Sequence, residues 1–153
     1  MNYRTTNELE HFDFTDAYIS DVQATSGFFH MILDNVTILP ENSCNRDIRP
    51  MRTNQLRLKI EKAVVDSVVE EGFKVYDADG NLRDSYEDVE LNKEDYFSVL
   101  KGFAGGIIYS LQKAEQEYCF TIDAETERTY VMRVSGEGDV EEWDRFFYRD
   151  SEY

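Results

Sequence analysis

The stretch QLRLKIEKAVVDSVVE, residues 55–70, decides the fold. Leu56, Leu58 and Ile60 alternate with Arg57, Lys59 and Glu61, so a two-residue period sorts apolar side chains from charged ones. That is a β-strand with one buried face and one wet face. From Ala63 onward the alternation loses phase, as an extra residue inserted in a strand (a β-bulge) would make it do.

Working outward, residues 14–24 alternate as another strand. ATSGFF (24–29) supplies a turn in which Gly27 can take positive φ. FFHMILDNVTIL (28–39) follows, apolar on both faces in its first half, as a central strand is, and the two pair as a hairpin. Residues 40–53 hold both prolines and no periodicity, so they read as a loop; Arg46, Arg49 and Arg52 make it the one basic cluster of the chain. FKVYDADGNLRD (73–84) reads as strand, turn and return strand about Asp79-Gly80. In LNKEDYFSVLKGFAGG (91–106) the period changes. Tyr96, Val99, Leu100 and Phe103 form the stripe of an amphipathic helix, with Asn92 as N-cap, Glu94 and Asp95 in the first turn and Gly105-Gly106 at the end.

IIYSLQ (107–112), YCFTID (118–123) and RTYVMRVS (128–135) then form a three-stranded meander. In GEGDVEEWDRFFY (136–148), Asp139 and Glu142 are spaced as an N-cap and its N3 partner. This predicts a short helix carrying Val140, Trp143 and Phe147, with an edge strand as the rival reading. The expected architecture is one domain over residues 1–153. It is α+β and mainly antiparallel β, with about seven or eight strands and one or two short helices.

Composition narrows the function classes. With 32 acids against 16 bases the formal net charge is −16, which repels nucleic-acid phosphates and anionic membranes but draws in a basic protein. No run of about 18 apolar residues offers a membrane span. MNYRTTNELE (1–10) lacks the apolar core of a secretory signal, so the expected location is cytoplasmic. Cys44 and Cys119 stand far apart and outside any CxxC pattern, as two free thiols would.

Each candidate chemical motif has a plainer reading. Asp77, Asp79, Asn81 and Asp88 imitate a calcium loop, but Leu82 stands where the required glycine belongs and the flanks are strands. KGFAGG (101–106) and SGEGD (135–139) match no phosphate-binding fingerprint. His11 and His30 are the only histidines. His30 shares a strand face with Phe28 and Ile32, where a half-buried imidazole is the ordinary outcome. A Cys119–His30 dyad stays open, though nothing marks it. Tyr18, Tyr109, Tyr118 and Tyr130 could line a ligand cavity inside a barrel-like sheet, or simply pack. In HFDFTDAYI (11–19), alternation separates His11, Asp13 and Thr15 from Phe14, Asp16 and Tyr18, so no compact metal site forms on a regular strand. Asp16, between Phe14 and Tyr18, is the one acid that would hint at function if its face were buried. No catalytic residue, metal ligand or cofactor is expected.

Two segments carry a family resemblance. FTDAYISDVQATSGFFHMILDNVTI (14–38) resembles an N-terminal hairpin of the F-H-D-A-x-I type, with Thr15 in place of the histidine. IIYSLQKAEQEYCFTIDAETERTYVMRVSGEGDVEEWDRF (107–146) resembles a meander ending in an acidic Trp segment. Together they look like the small acidic β-rich immunity proteins of bacterial polymorphic toxin systems. That resemblance implies a non-catalytic protein that binds and neutralises a basic effector. Its contact residues would be Glu137, Asp139, Glu141, Glu142, Trp143, Asp144 and Phe146, with Trp143 as anchor; the competing reading has Trp143 plug the core. A small-ligand-binding barrel is the alternative function, and a hydrolase the third.

Overall fold

The computed structural model describes residues 1–148. Its strands are β1 (Tyr3–Thr6), β2 (Phe12–Asp13), β3 (Tyr18–Thr25), β4 (Gly27–Asp34) and β5 (Val36–Ile38). Next come β6 (Met51–Thr53), β7 (Leu56–Glu70), β8 (Phe73–Tyr76), β9 (Leu82–Tyr86) and β10 (Val89–Glu90). A 3-10 turn (Lys93–Asp95) leads into the helix α1 (Tyr96–Lys101), followed by β11 (Ile107–Ala114), β12 (Glu117–Asp123), β13 (Thr129–Ser135), β14 (Gly138–Trp143) and β15 (Phe147–Tyr148). The mainly antiparallel α+β class is as expected. The fifteen strands among the described residues exceed the seven or eight expected because β1, β2, β5, β6, β10 and β15 have only two to four residues each, too few alternations to read, and because β14 stands where a short helix was expected.

Antiparallel pairing runs β7–β13–β12–β11–β3–β4 and returns from β4 to β7, closing a six-stranded barrel. The 15-residue β7 holds it together. Its first half lies between β4 and β14; its second half lies between β13 and the short β10. Two bulges make this possible. Gly27 pairs with Ala63 while Phe28 pairs with Glu61, so Lys62 is left over at φ 51°; Ser67 faces Arg133 while Val65 faces Val134, so Asp66 is left over. The inward residues accordingly run Leu56, Leu58, Ile60, then Ala63, then Val68. The phase slip at Ala63 is therefore real, and a second one follows it.

The barrel is filled with side chains. Phe29 meets Phe120 at 5.5 Å between ring centroids, and Met31, Leu58, Tyr118, Ile122, Met132 and Val134 are all fully buried around them. The helix stripe is as expected: Tyr96, Leu100 and Phe103 are buried, α1 packs on β3, and Gly105 at φ 91° turns the chain into β11. A second sheet, ordered β15–β6–β5–β2, adjoins the barrel. There Trp143, at the end of β14, is enclosed by Tyr3 (5.7 Å), Phe12 (5.5 Å) and Phe146 (5.7 Å). No helix among the described residues is long and apolar enough to cross a membrane.

Three expectations need correction. Residues 14–17 form a turn, with Ala17 N–H donating to Phe14 O and Thr15 N–H to Asp13 Oδ1, so the strand begins at Tyr18 and not at Phe14. The loop 40–53 ends in a strand, β6. The predicted C-terminal helix is β14: its residues pair with β7 on one side and β1 on the other, and that long-range pairing overrides the local capping pattern.

Strands β13 and β14 lie end to end along one edge of β7, with Gly136 and Glu137 at the joint. A Cβ at Gly136 would overlap Ile60 Cγ2 and come within 3.0 Å of the Glu61 carbonyl oxygen. Gly136→Ala is therefore expected to cost about 1–3 kcal/mol, the usual penalty of overpacking, read as a lower urea midpoint with an unchanged slope.

Candidate functional site

Strand alternation divides the acidic Trp segment between two faces. Asp139, Glu141 and Trp143 point inward opposite Ile60, Leu58 and the β1 residues Thr5 and Tyr3; each of the three is 0% exposed. Glu142 lies on the outer face, with one oxygen 2.6 Å from Lys59 Nζ. Glu137 also faces outward, 3.2 Å from Lys62 Nζ. Asp144 is exposed and accepts from the Asn2 N–H, while Phe146 is half-buried against Tyr3. The seven residues therefore do not present one surface. Asp139, Glu141 and Trp143 cannot meet a partner in this fold, and Trp143 is core.

What they build instead is a buried polar network. Asp139 Oδ2 accepts from Tyr118 OH at 2.7 Å and pairs with Lys113 Nζ at 3.1 Å, and Glu141 Oε1 accepts from Thr5 Oγ1 at 2.8 Å. The two carboxyl groups are close enough that each shifts the other's titration. Asp139 Oδ1 and Glu141 Oε2 are buried with no hydrogen-bond partner, a deficit that one proton held between the two carboxyls would satisfy. Burial, followed by the neighbouring Asp139, pushes Glu141 up to about 10, and it is the member that keeps the proton. Burial also acts to raise Asp139, but its hydrogen bonds from Glu141, Tyr118 and Lys113 outweigh that and hold it below the ordinary range. Burial and the Asp139 charge push the Tyr118 hydroxyl up as well, so it stays a donor. A carboxyl pair with a tyrosine and a lysine is chemically capable of acid–base work. Here the carboxyls are sealed from solvent, which suits a structural bond.

The other candidates scatter. Asp16 is exposed at φ 67° in the 14–17 turn, so the condition that would have marked it as functional, a buried face, is not met. His11 Nδ1 sits 3.1 Å from Glu8 Oε1. His30 is half-buried on the outer face beside Lys59; burial, then Arg57 and Lys59, lower its pKa and favour the neutral ring. Tyr18 and Tyr109 are exposed, and only Tyr118 of the four tyrosines is fully inside, where it is committed to Asp139. Asp77 of the calcium-like loop accepts from the N–H groups of Asp79 and Asn81, and Asp88 from that of Gly72, as turn formers do. Among the described residues, no group of His, Cys, Asp and Glu is arranged to hold a metal ion. Cys44 and Cys119 are free thiols.

The feature that the sequence did not single out is an arm. Between β7 and β10 the chain runs out as the two-stranded ribbon β8–β9, which belongs to neither larger sheet. Phe73 and Tyr86 stack at 4.5 Å, and Arg128, ion-paired to Glu70, lies over Phe73 at its base. Phe73, Tyr76, Leu82, Tyr86 and Val89 are all exposed. Residues 71–90 carry seven acids and two bases, a net −5 within 20 residues. The available signal was a hairpin whose apolar residues fall on both faces without a core to receive either.

The Asp139–Glu141 pair sets a pH test. Folded Glu141 keeps a proton that the unfolded chain releases near the ordinary value of 4.5, so this group's contribution to stability falls as pH rises from there towards about 10. Asp139 contributes the opposite way, losing its stabilisation as pH falls below its ordinary value. Glu141→Gln can donate to Asp139 without a titrating proton. Between about pH 5 and 9 it is expected to gain on the unsubstituted chain by up to about 1.4 kcal/mol per pH unit, measured by urea unfolding.

No protein-family model, curated protein or solved structure matches this chain.

Proposed function

We propose that this chain is a non-catalytic protein-binding domain of the toxin-neutralising type, acting in the cytoplasm on a basic protein partner. The observation that carries this reading is the β8–β9 arm. It exposes four large apolar side chains, Phe73, Tyr76, Leu82 and Tyr86, on a two-stranded ribbon inside a segment, 71–90, of net charge −5. An isolated ribbon of two strands gains little stability for itself, and exposed aromatics among carboxylates are the makings of an interface. The rest of the −16 surface would speed the approach of a cationic partner without fixing where it lands. On this reading the contact is the arm and not the 137–146 segment, whose Asp139, Glu141 and Trp143 are buried.

The filled barrel interior gives no support to the ligand-barrel alternative in its original form, and the sealed carboxyls give none to a hydrolase.

The test is calorimetric titration against the protein encoded by the adjacent gene. Its affinity is expected to weaken at least tenfold as salt rises from about 50 to 300 mM. Tyr76→Ala combined with Leu82→Ala, both exposed positions near the ribbon tip, is expected to weaken it by about 30-fold, the scale of one interface hot spot. Binding that ignores both salt and these substitutions would refute the proposal.

A further inference from the structure

We propose that the free edge of β8 receives an extended, basic segment of the partner as a third strand of the arm, added antiparallel through the backbone groups of Lys74 and Tyr76. The inference rests on the protein-binding reading and names how that contact is made.

The edge is defined by where the neighbouring strands stop. On one side β9 pairs with β8 from Phe73 to Tyr76. On the other side β13 ends at Thr129, whose carbonyl accepts the Glu71 N–H at 2.8 Å, and past that point no strand pairs with β8 among the described residues. Alternation decides which groups are left over. The Asp77 N–H donates to Asn81 O, towards β9, and the extra residue of the ribbon, Arg83, lies on β9 and leaves the period of β8 intact. Phe73 and Val75 therefore turn their N–H and C=O groups towards β9, and Lys74 and Tyr76 turn theirs to the open edge. Such a row of backbone donors and acceptors is a template for one more strand. The outer edge of β9 is a poorer template, because the bulge at Arg83 interrupts it.

Space, charge and side chains select the occupant. Glu71, Phe73, Glu127 and Thr129 line a hollow of about 370 Å³ at the foot of the edge, where a continuation of the β13 line would run. Glu71 and Glu127 stand at that foot, and Asp77 and Asp79 stand at the tip, so an incoming strand meets carboxylates at both ends. Nearby bases do not cancel them: Arg128 is paired with Glu70, and Lys74 is the one base on β8. Between the two ends β8 offers Phe73 and Val75 on one face and Tyr76 on the other, apolar neighbours for cross-strand contact. The segment that fits is basic at its ends and apolar or β-branched between them. A second copy of this chain does not fit, since its arm would bring net −5 against net −5.

The test titrates the full chain with a capped peptide, Val-Thr-Val-Thr-Val flanked by two lysines at each end, and with its control carrying glutamates in place of the lysines. The lysine peptide is expected to bind, more weakly as salt rises, and the glutamate peptide not to bind. At saturation the Lys74 and Tyr76 amides are expected to exchange at least tenfold more slowly by NMR. Lys74→Pro removes an N–H from the open edge and keeps the pairing with β9, as prolines on edge strands do. It should weaken the peptide about tenfold, the scale of one lost hydrogen bond. Lys74→Ala keeps the N–H and should bind at least as well. Unchanged far-UV circular dichroism and urea midpoints show that the variants are folded, and the exchange measurement needs no variant. A lysine peptide that fails to bind, a glutamate peptide that binds equally, or amides left unprotected at saturation would overturn the assignment. So would protection in the peptide-free protein that grows with its concentration, which would give the edge to a second copy. Peptide binding weakened by Tyr76→Ala with Leu82→Ala but untouched by Lys74→Pro would refute strand addition and leave the arm as the contact. Binding indifferent to all of these substitutions would remove both.

Discussion

The backbone hydrogen bonds of β7 are the constraint on which the rest of this molecule depends. An interior strand must have both edges satisfied along its whole length, because each buried N–H or C=O left unpaired costs on the order of 1–3 kcal/mol. A straight strand of 15 residues would hold the same neighbours throughout. Here the bulges at Lys62 and Asp66 bend it, and its two halves serve different pairs: β4 with β14, then β10 with β13. Barrel closure, the departure of β14 towards β1 and the rooting of the arm beside β10 all follow from that division.

The buried carboxyls add specificity more than stability. Desolvating Asp139 is costly, and an apolar pair of similar volume could pack as well. What the network adds is register. A slip of one residue along β14 would turn Asp139 and Glu141 to the opposite face, away from Tyr118, Lys113 and Thr5, and carry Val140 and Glu142 inward in their place. Asn7 ties the same place from the backbone side, its N–H donating to Asp139 O and its Oδ1 accepting the Asp139 N–H.

Legibility in the sequence followed the range of the interaction involved. The β3–β4 hairpin, the 107–135 meander, the Asp79-Gly80 turn and the helix stripe from Tyr96 to Phe103 depend on local period and turn chemistry, and they were readable. Barrel closure was not, because the β4–β7 contact leaves no periodic mark of its own. The segment DVEEW (139–143) misled for a physical reason. Its acids suit a helix start by spacing, yet the same letters read at period two put Asp139 and Glu141 on the Trp143 face. Only the partners at Ile60 and Thr5 decide between the two. The acidic composition likewise makes residues 137–146 look like a surface patch, although Asp139, Glu141 and Trp143 are interior.

The pairing of β1 with β14 sets Tyr3 opposite Trp143, and Thr5 opposite Glu141. Residues about 140 positions apart must therefore meet before the first strand has a neighbour or the Trp143 cluster can close. During synthesis, the segment 3–6 leaves the ribosome long before its strand partner, β14, exists. Loop-closure entropy across nearly the whole chain must be overcome to join them. Completion of this fold thus waits until residues 140–143 have been made, and until then the apolar face destined for Trp143 stays open to chaperones or to misassembly.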